Sequence, residues 1–178
     1  MKHCMLDLET FGTTPGSVIR SIGAVQFDPR TGIGAEFYAN ITEEDQLIRG
    51  ATKDQRTIEW WASQSAESQA QLLVDQKPVD QVLNEFRLWF KSNGLRFVWA
   101  QGSAFDCTLW EATSRMFQVK EPWQFWNTRD TRTAYDMAGL NTKTISRHGT
   151  YHNALDDSKH QVRCVYKAYM MIDGVEKR

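Results

Sequence analysis

The sequence predicts an α/β fold: a mixed five-stranded sheet, three antiparallel strands and then parallel ones, flanked by helices. Two observations carry this expectation. Three strand-like runs joined by short turns open the chain, and after residue 42 the pattern changes to helices and then to strand followed by helix.

Lys2 to Glu9 reads as the first strand. Its side chains alternate, so Leu6 and Leu8 face one side while Asp7 and Glu9 share the other. Phe11 to Gly16 is a turn by its glycines and proline, Val18 to Phe27 a second strand, Asp28 to Gly32 a second turn, and Ala35 to Ile41 a third strand. Helices are expected over Thr57 to Ala62, Ala66 to Val74 and Pro78 to Ser92. The last has Val79, Val82, Leu83, Phe86, Trp89 and Phe90 at helical spacing, a proline at its start and Asn93-Gly94 at its end. Phe97 to Ala100 fits a buried strand that turns at Gly102 into a helix reaching about Met116. Trp126 to Thr128 reads as a short strand before a helix from Asp130 to Ala138. Asn141 to Tyr151 contains no acid and reads as a flexible basic loop, and the final helix runs from about Ala154 to Met171.

At 178 residues the chain has room for one sizeable core, and a single domain over 1–178 is expected. Hydrophobic residues make up 41% and charged residues 24%, an ordinary globular balance. No run approaches the roughly 18 apolar residues of a membrane span, and no charged and apolar leader opens the chain. No membrane association and a cytoplasmic location are therefore expected. Cys4, Cys107 and Cys164 are too few and too scattered for a disulfide framework or a zinc site, and read as small buried residues. With a net charge of -1 and a pI near 6.4, any nucleic acid must be held by a local patch.

Chemistry concentrates in the acids. Asp7 and Glu9 stand side by side on a strand anchored by leucines, and a site that keeps both ionised usually holds a cation; the alternative is a strand end with two solvated acids. Asp106 falls in the first turn of a helix directly after a buried strand, where ligands of open α/β sheets bind, although Ser103 three residues earlier also makes a capping box. Asp130 reads as a helix N-cap. In the last helix, the stripe of Asp156 continues through His160, Arg163 and Lys167, whereas that of Asp157 continues through Gln161, Cys164 and Ala168. Asp156 is thus expected in solvent and Asp157 against packed structure, where a carboxylate needs a partner. A metal shared with Asp7, Glu9 and Asp106 would supply it. Four carboxylates and one histidine, His152, favour Mg²⁺ or Mn²⁺ over zinc. Two such ions about 4 Å apart serve phosphodiester displacement, and a histidine titrating near neutrality can take the proton of the attacking water.

Asp7-Leu8-Glu9-Thr10, Phe105-Asp106 and His152-Asn153-Ala154-Leu155-Asp156-Asp157 resemble, in order and approximate separation, the three motifs of the DEDDh 3'-5' exonucleases. That group includes the proofreading subunit of bacterial replicase, ribonuclease T and oligoribonuclease, and the resemblance covers most of the chain. It implies a ribonuclease-H-like fold, two divalent cations held by Asp7, Glu9, Asp106 and Asp157, His152 as general base, and release of nucleoside 5'-monophosphates. The family's spacing of five residues between histidine and last acid selects Asp157. One departure stands out: many members have an asparagine four residues before the middle aspartate, and here that position is Gly102. Trp99 to Asp106 and Thr57 to Trp61 look most like a phage and bacterial exoribonuclease-like subgroup. The implied partner is a single-stranded 3' end of RNA or DNA, with a homodimer by analogy. Thr10, Phe11 and Trp61 are candidates for the terminal nucleotide, core packing being the alternative for Trp60 and Trp61. Lys143, Arg147 and His148 are candidates for phosphate, a solvated loop being theirs. Two rivals share the fold: a catalytically silent nucleic-acid-binding domain and an endonuclease.

Overall fold

In the computed structural model, which describes residues 1–175, the strands are β1 (His3–Thr10), β2 (Ile19–Asp28), β3 (Gly32–Asn40), β4 (Phe97–Ala100) and β5 (Thr128–Asp130). They lie in the order β3-β2-β1-β4-β5. β1 and β2 pair antiparallel, as do β2 and β3, while β4 runs parallel to β1 and β5 parallel to β4. The helices are α1 (Glu44–Ile48), α2 (Gln55–Ala62), α3 (Ala66–Gln71), α4 (Val79–Ser92), α5 (Ser103–Met116), α6 (Thr131–Ala138) and α7 (Ala154–Ile172). The expected mixed sheet is present.

The alternation in β1 divides the core. Cys4, Leu6 and Leu8 pack with Phe86 and Phe90 of α4 and Leu109 and Trp110 of α5. Met5, on the opposite face, packs with Tyr135 of α6 and Val162, Cys164, Val165 and Ala168 of α7. Burying each leucine, valine, methionine or phenylalanine among them contributes roughly 1.5 to 3 kcal/mol. The three cysteines are free and buried, as expected of small apolar residues.

Three elements differ from the sequence reading. β5 starts at Thr128, because Phe125–Asn127 forms a 3-10 turn where the strand was expected. The helix expected to reach Val74 ends at Gln71. Short α1 escaped notice because a polar residue fixes it: buried Gln46 accepts a hydrogen bond from the Ile19 N–H and donates to the Ile19 carbonyl.

Asp130 is a cap, as read, and it serves two helices. Its Oδ1 accepts from the Arg132 N–H (2.9 Å) at the start of α6, and its Oδ2 from the Ser103 N–H (2.7 Å) at the start of α5. Replacing Asp130 with alanine orphans both donors, so a loss of about 2 kcal/mol is expected in denaturant unfolding.

Candidate active site

Alternation along β1 and its pairing between β2 and β4 bring Asp7 and Glu9 to one face of the sheet near the strand's C-terminal end. β4 ends beside them, and the turn at Gly102 swings α5 so that Asp106 points back at β1. Its Oδ1 accepts the Leu8 N–H at 3.1 Å, and the residue is only 4% exposed. The capping-box alternative for Asp106 is not what forms. Gly102 is the N-cap of α5, and the carboxylate reaches across to the neighbouring strand.

α7 brings the remaining groups. Asn153 caps it, accepting from the N–H groups of Leu155 and Asp156. Just before the cap, His152 has φ 61°, a left-handed conformation uncommon for a residue with a side chain. Its ring stands edge-on to those of Trp60 (4.8 Å between centroids) and Trp61 (6.0 Å). Ligand atoms of Glu9, His152 and Asp157 lie within 4.8 Å of one another. Asp7, Glu9, Asp106, His152 and Asp157 all line one cleft of about 460 Å³.

Clustering acids away from water has an electrostatic consequence. Burial first, then repulsion from Asp106 and Glu9, pushes the Asp7 carboxyl far above its ordinary range. Burial and the Asp106 charge push Glu9 up to about 8, against the pull of Arg20 and Arg147. Asp106 rises to about 7 through burial, restrained by the backbone N–H of Leu8 and the charge of Arg132. Burial, helped by Arg147, lowers His152, which keeps its imidazole neutral and able to accept a proton at neutral pH. Hard oxygen donors that resist ionisation until a positive charge arrives suit a divalent cation such as Mg²⁺ or Mn²⁺. The donor set therefore fits the ions that the sequence implies.

Other candidates fall differently. Phe11 and Trp61 are buried in a small cluster with Val18, Ala51 and Leu72. The Arg20 guanidinium covers both rings, at 4.2 and 4.6 Å from their centroids, and the Trp61 Nε1–H donates to the Thr10 carbonyl at 2.9 Å. The packing of α2 onto the end of β1 covers most of both rings, Phe11 lying outside the neighbouring hollow and Trp61 lining it with an edge. Trp60, 43% exposed, offers the open face expected of a base platform. It lines a second hollow with Thr10, Thr13, Arg56 and Phe105, which meets the carboxylate cleft at Leu8, Glu9 and Phe105.

Asp157 is turned inward, as its stripe predicts, and is paired with Arg147. Asp156 is not the solvated residue expected: its Oδ2 accepts the Thr150 N–H at 2.8 Å and ties the 141–151 loop to α7. Of the three basic loop residues, Arg147 lines the cleft while Lys143 and His148 are exposed outside it. Two residues were missed. Gln161 donates to Asp7 Oδ1 at 2.7 Å, and its place on the inward stripe of Asp157 was the available signal. Arg132 lines the cleft from the first turn of α6, with nothing in the local sequence to mark it.

Comparison with known proteins agrees with this geometry. The exodeoxyribonuclease of Enterobacteria phage T4 is 25% identical over 161 residues, covering 72% of this chain and 68% of that protein. The nuclease domain of 3'hExo, a DEDDh family member solved with rAMP, superposes with a TM-score of 0.62 at 18% identity, covering 99% of this chain and 94% of that one. Exonuclease I of E. coli, solved with a dT13 oligonucleotide, gives a TM-score of 0.68 at 12% identity, covering 97% of this chain and 42% of that one. These two structures establish the ribonuclease-H-like fold of the DEDDh exonucleases for the chain. Residues 2–169 match the family described as the 3'-5' exoribonuclease Rv2179c-like domain, and the chain belongs to that family.

Proposed function

We propose that this chain is a two-metal-ion 3'-5' exonuclease that hydrolyses single-stranded 3' ends of RNA or DNA and releases nucleoside 5'-monophosphates. The observation that carries the proposal is the convergence of Asp7, Glu9, Asp106, His152 and Asp157, from β1, α5 and α7, on one cleft. The four acids would hold divalent cations, which would supply charge neutralisation for phosphodiester displacement. His152, held by Trp60 and kept neutral by burial, accepts the proton of the attacking water. Gln161 fixes the orientation of the Asp7 carboxylate. The terminal nucleoside lies in the adjoining hollow, where Trp60 and Phe105 supply aromatic faces and Thr10 a backbone edge. We place the enzyme in the cytoplasm, where three free buried thiols are at home.

The test is digestion of matched single-stranded RNA and DNA oligomers, labelled at either end, with Mn²⁺. The 3' label is expected to leave first as a mononucleotide, with circular strands untouched. Internal fragments from circles would indicate an endonuclease, and binding without release from either end a silent binding domain. Either result overturns the proposal.

A further inference from the structure

Gly102 has φ +100°, and a Cβ built on it would lie 2.3 Å from Arg132 Nη1 and 3.4 Å from Arg132 Cζ. The guanidinium of Arg132 thus rests against the glycine backbone, in space that any side chain at 102 would contest. We propose that Arg132 is a strand-binding residue that holds a backbone phosphate of the nucleic acid at the wall of the cleft, where the bare backbone of Gly102 leaves room for its guanidinium. The proposal deepens the exonuclease reading and rests on it.

Three features of the site argue for a ligand rather than an internal partner. Arg132 lines the cleft with Gln101, Phe105 and Asp106, whose ionised form its charge favours from a distance, yet among the described residues its guanidinium is in no ion pair. Asp130, the acid two positions away, is spent on backbone donors: Oδ1 on the N–H of Arg132 itself and Oδ2 on that of Ser103. The same cap fixes the backbone from which Arg132 projects, so the exposed side chain grows from a rigid base. A planar, permanently charged fork with free donors suits a phosphate. The need for one is also clear. The net charge is -1 and the cleft floor is acidic, so a polyanionic strand approaching it requires local cations on the walls. Arg147, the other arginine of the cleft, is already paired with Asp157.

The experiment measures binding of fluorescent RNA and DNA oligomers of the same sequence by anisotropy, with Ca²⁺ in place of Mn²⁺, over a series of KCl concentrations. Arg132→Ala is expected to weaken both oligomers about tenfold and to flatten the slope of log K against log[salt] by about 0.7, the change for one lost single-strand phosphate contact. Arg132→Lys restores the slope but only part of the affinity. Gly102→Asn, with Arg132 intact, displaces the guanidinium and shares the alanine variant's slope. In Mn²⁺ the alanine variant loses far more on the oligomer than on the p-nitrophenyl ester of thymidine 5'-monophosphate, which has no upstream phosphate. Equal losses on both substrates with an unchanged salt slope would make Arg132 a mere support for Asp106 and overturn the assignment. An effect on RNA alone or DNA alone would do so too, since a phosphate is common to both. Wild-type protein that neither binds nor cleaves either oligomer would remove the exonuclease reading and this assignment with it; a wild type that does both, matched by Arg132→Ala, removes the assignment alone.

Discussion

Glu9→Gln is expected to make the metal-free protein more stable at pH 8 while lowering nuclease activity by about 10³-fold. Both effects come from one carboxylate. In the folded chain Glu9 titrates at about 8, against an ordinary value of 4.5, because burial and Asp106 oppose its charge. A folded-state pKa above the unfolded one means that the folded form keeps a proton which the unfolded form releases. Stability is therefore full below about pH 4.5 and is lost progressively as pH rises through 8. Asp106, raised to about 7, and Asp7, raised further, act in the same direction. Metal-free wild type is thus expected to melt at a lower temperature at pH 8 than at pH 5. Glu9→Gln relieves part of this and recovers roughly 3 kcal/mol at pH 8. If the cluster holds metal as proposed, Mn²⁺ would bind only its folded, ionised form, so its stabilisation of wild type is expected to grow with pH and nearly to vanish in the variant. Thermal melts at pH 5 and pH 8, with EDTA or with Mn²⁺, read all four states.

Gly23→Ala is expected to destabilise the protein by about 3 kcal/mol or more, a fall of roughly 10 °C in Tm, and to reduce activity although the residue lies outside the cleft. Gly23 is on β2, opposite Asp7. A Cβ there would lie 2.1 Å from the Ala154 carbonyl carbon and 2.2 Å from the Leu155 nitrogen, both backbone atoms of the first turn of α7. Flexible side chains can yield, but a helix backbone must move as a unit. The Ser158 Oγ–H also donates to the Gly23 carbonyl at 3.0 Å, pinning the helix to the strand one residue beyond Asp157. Displacing this turn carries His152 and Asp157 away from Glu9, so kcat falls along with stability. A variant with the stability loss but full kcat would show that the site tolerates movement of α7.

How far such features can be read in advance depends on whether they are periodic. β1 shows its two faces in the sequence because Leu6 and Leu8 alternate with Asp7 and Glu9, and the amphipathic spacing from Val79 to Phe90 marks α4 equally well. The inward stripe of α7 picks out Asp157, and the five-residue step from His152 selects the same acid. Aperiodic features stayed hidden. Gln46 organises α1 through two hydrogen bonds to Ile19, 27 positions away in the chain. Arg132 and Gly102 meet only because β4 and β5 run side by side. Trp61 and Trp60 differ by one residue, yet a 100° step round α2 buries the first under Arg20 and leaves the second open to the site. The helical face of Asp156 points to solvent, but a loop with no periodicity of its own folds back to claim it.

The central claim is that charges far apart in the chain are gathered to hold divalent cations. Anomalous diffraction from crystals grown with Mn²⁺ tests it most directly. Manganese peaks among the carboxylates of Asp7, Glu9, Asp106 and Asp157, with Arg147 withdrawn from Asp157, are the expected result. Manganese bound only elsewhere, with the Arg147 to Asp157 pair intact, would contradict it.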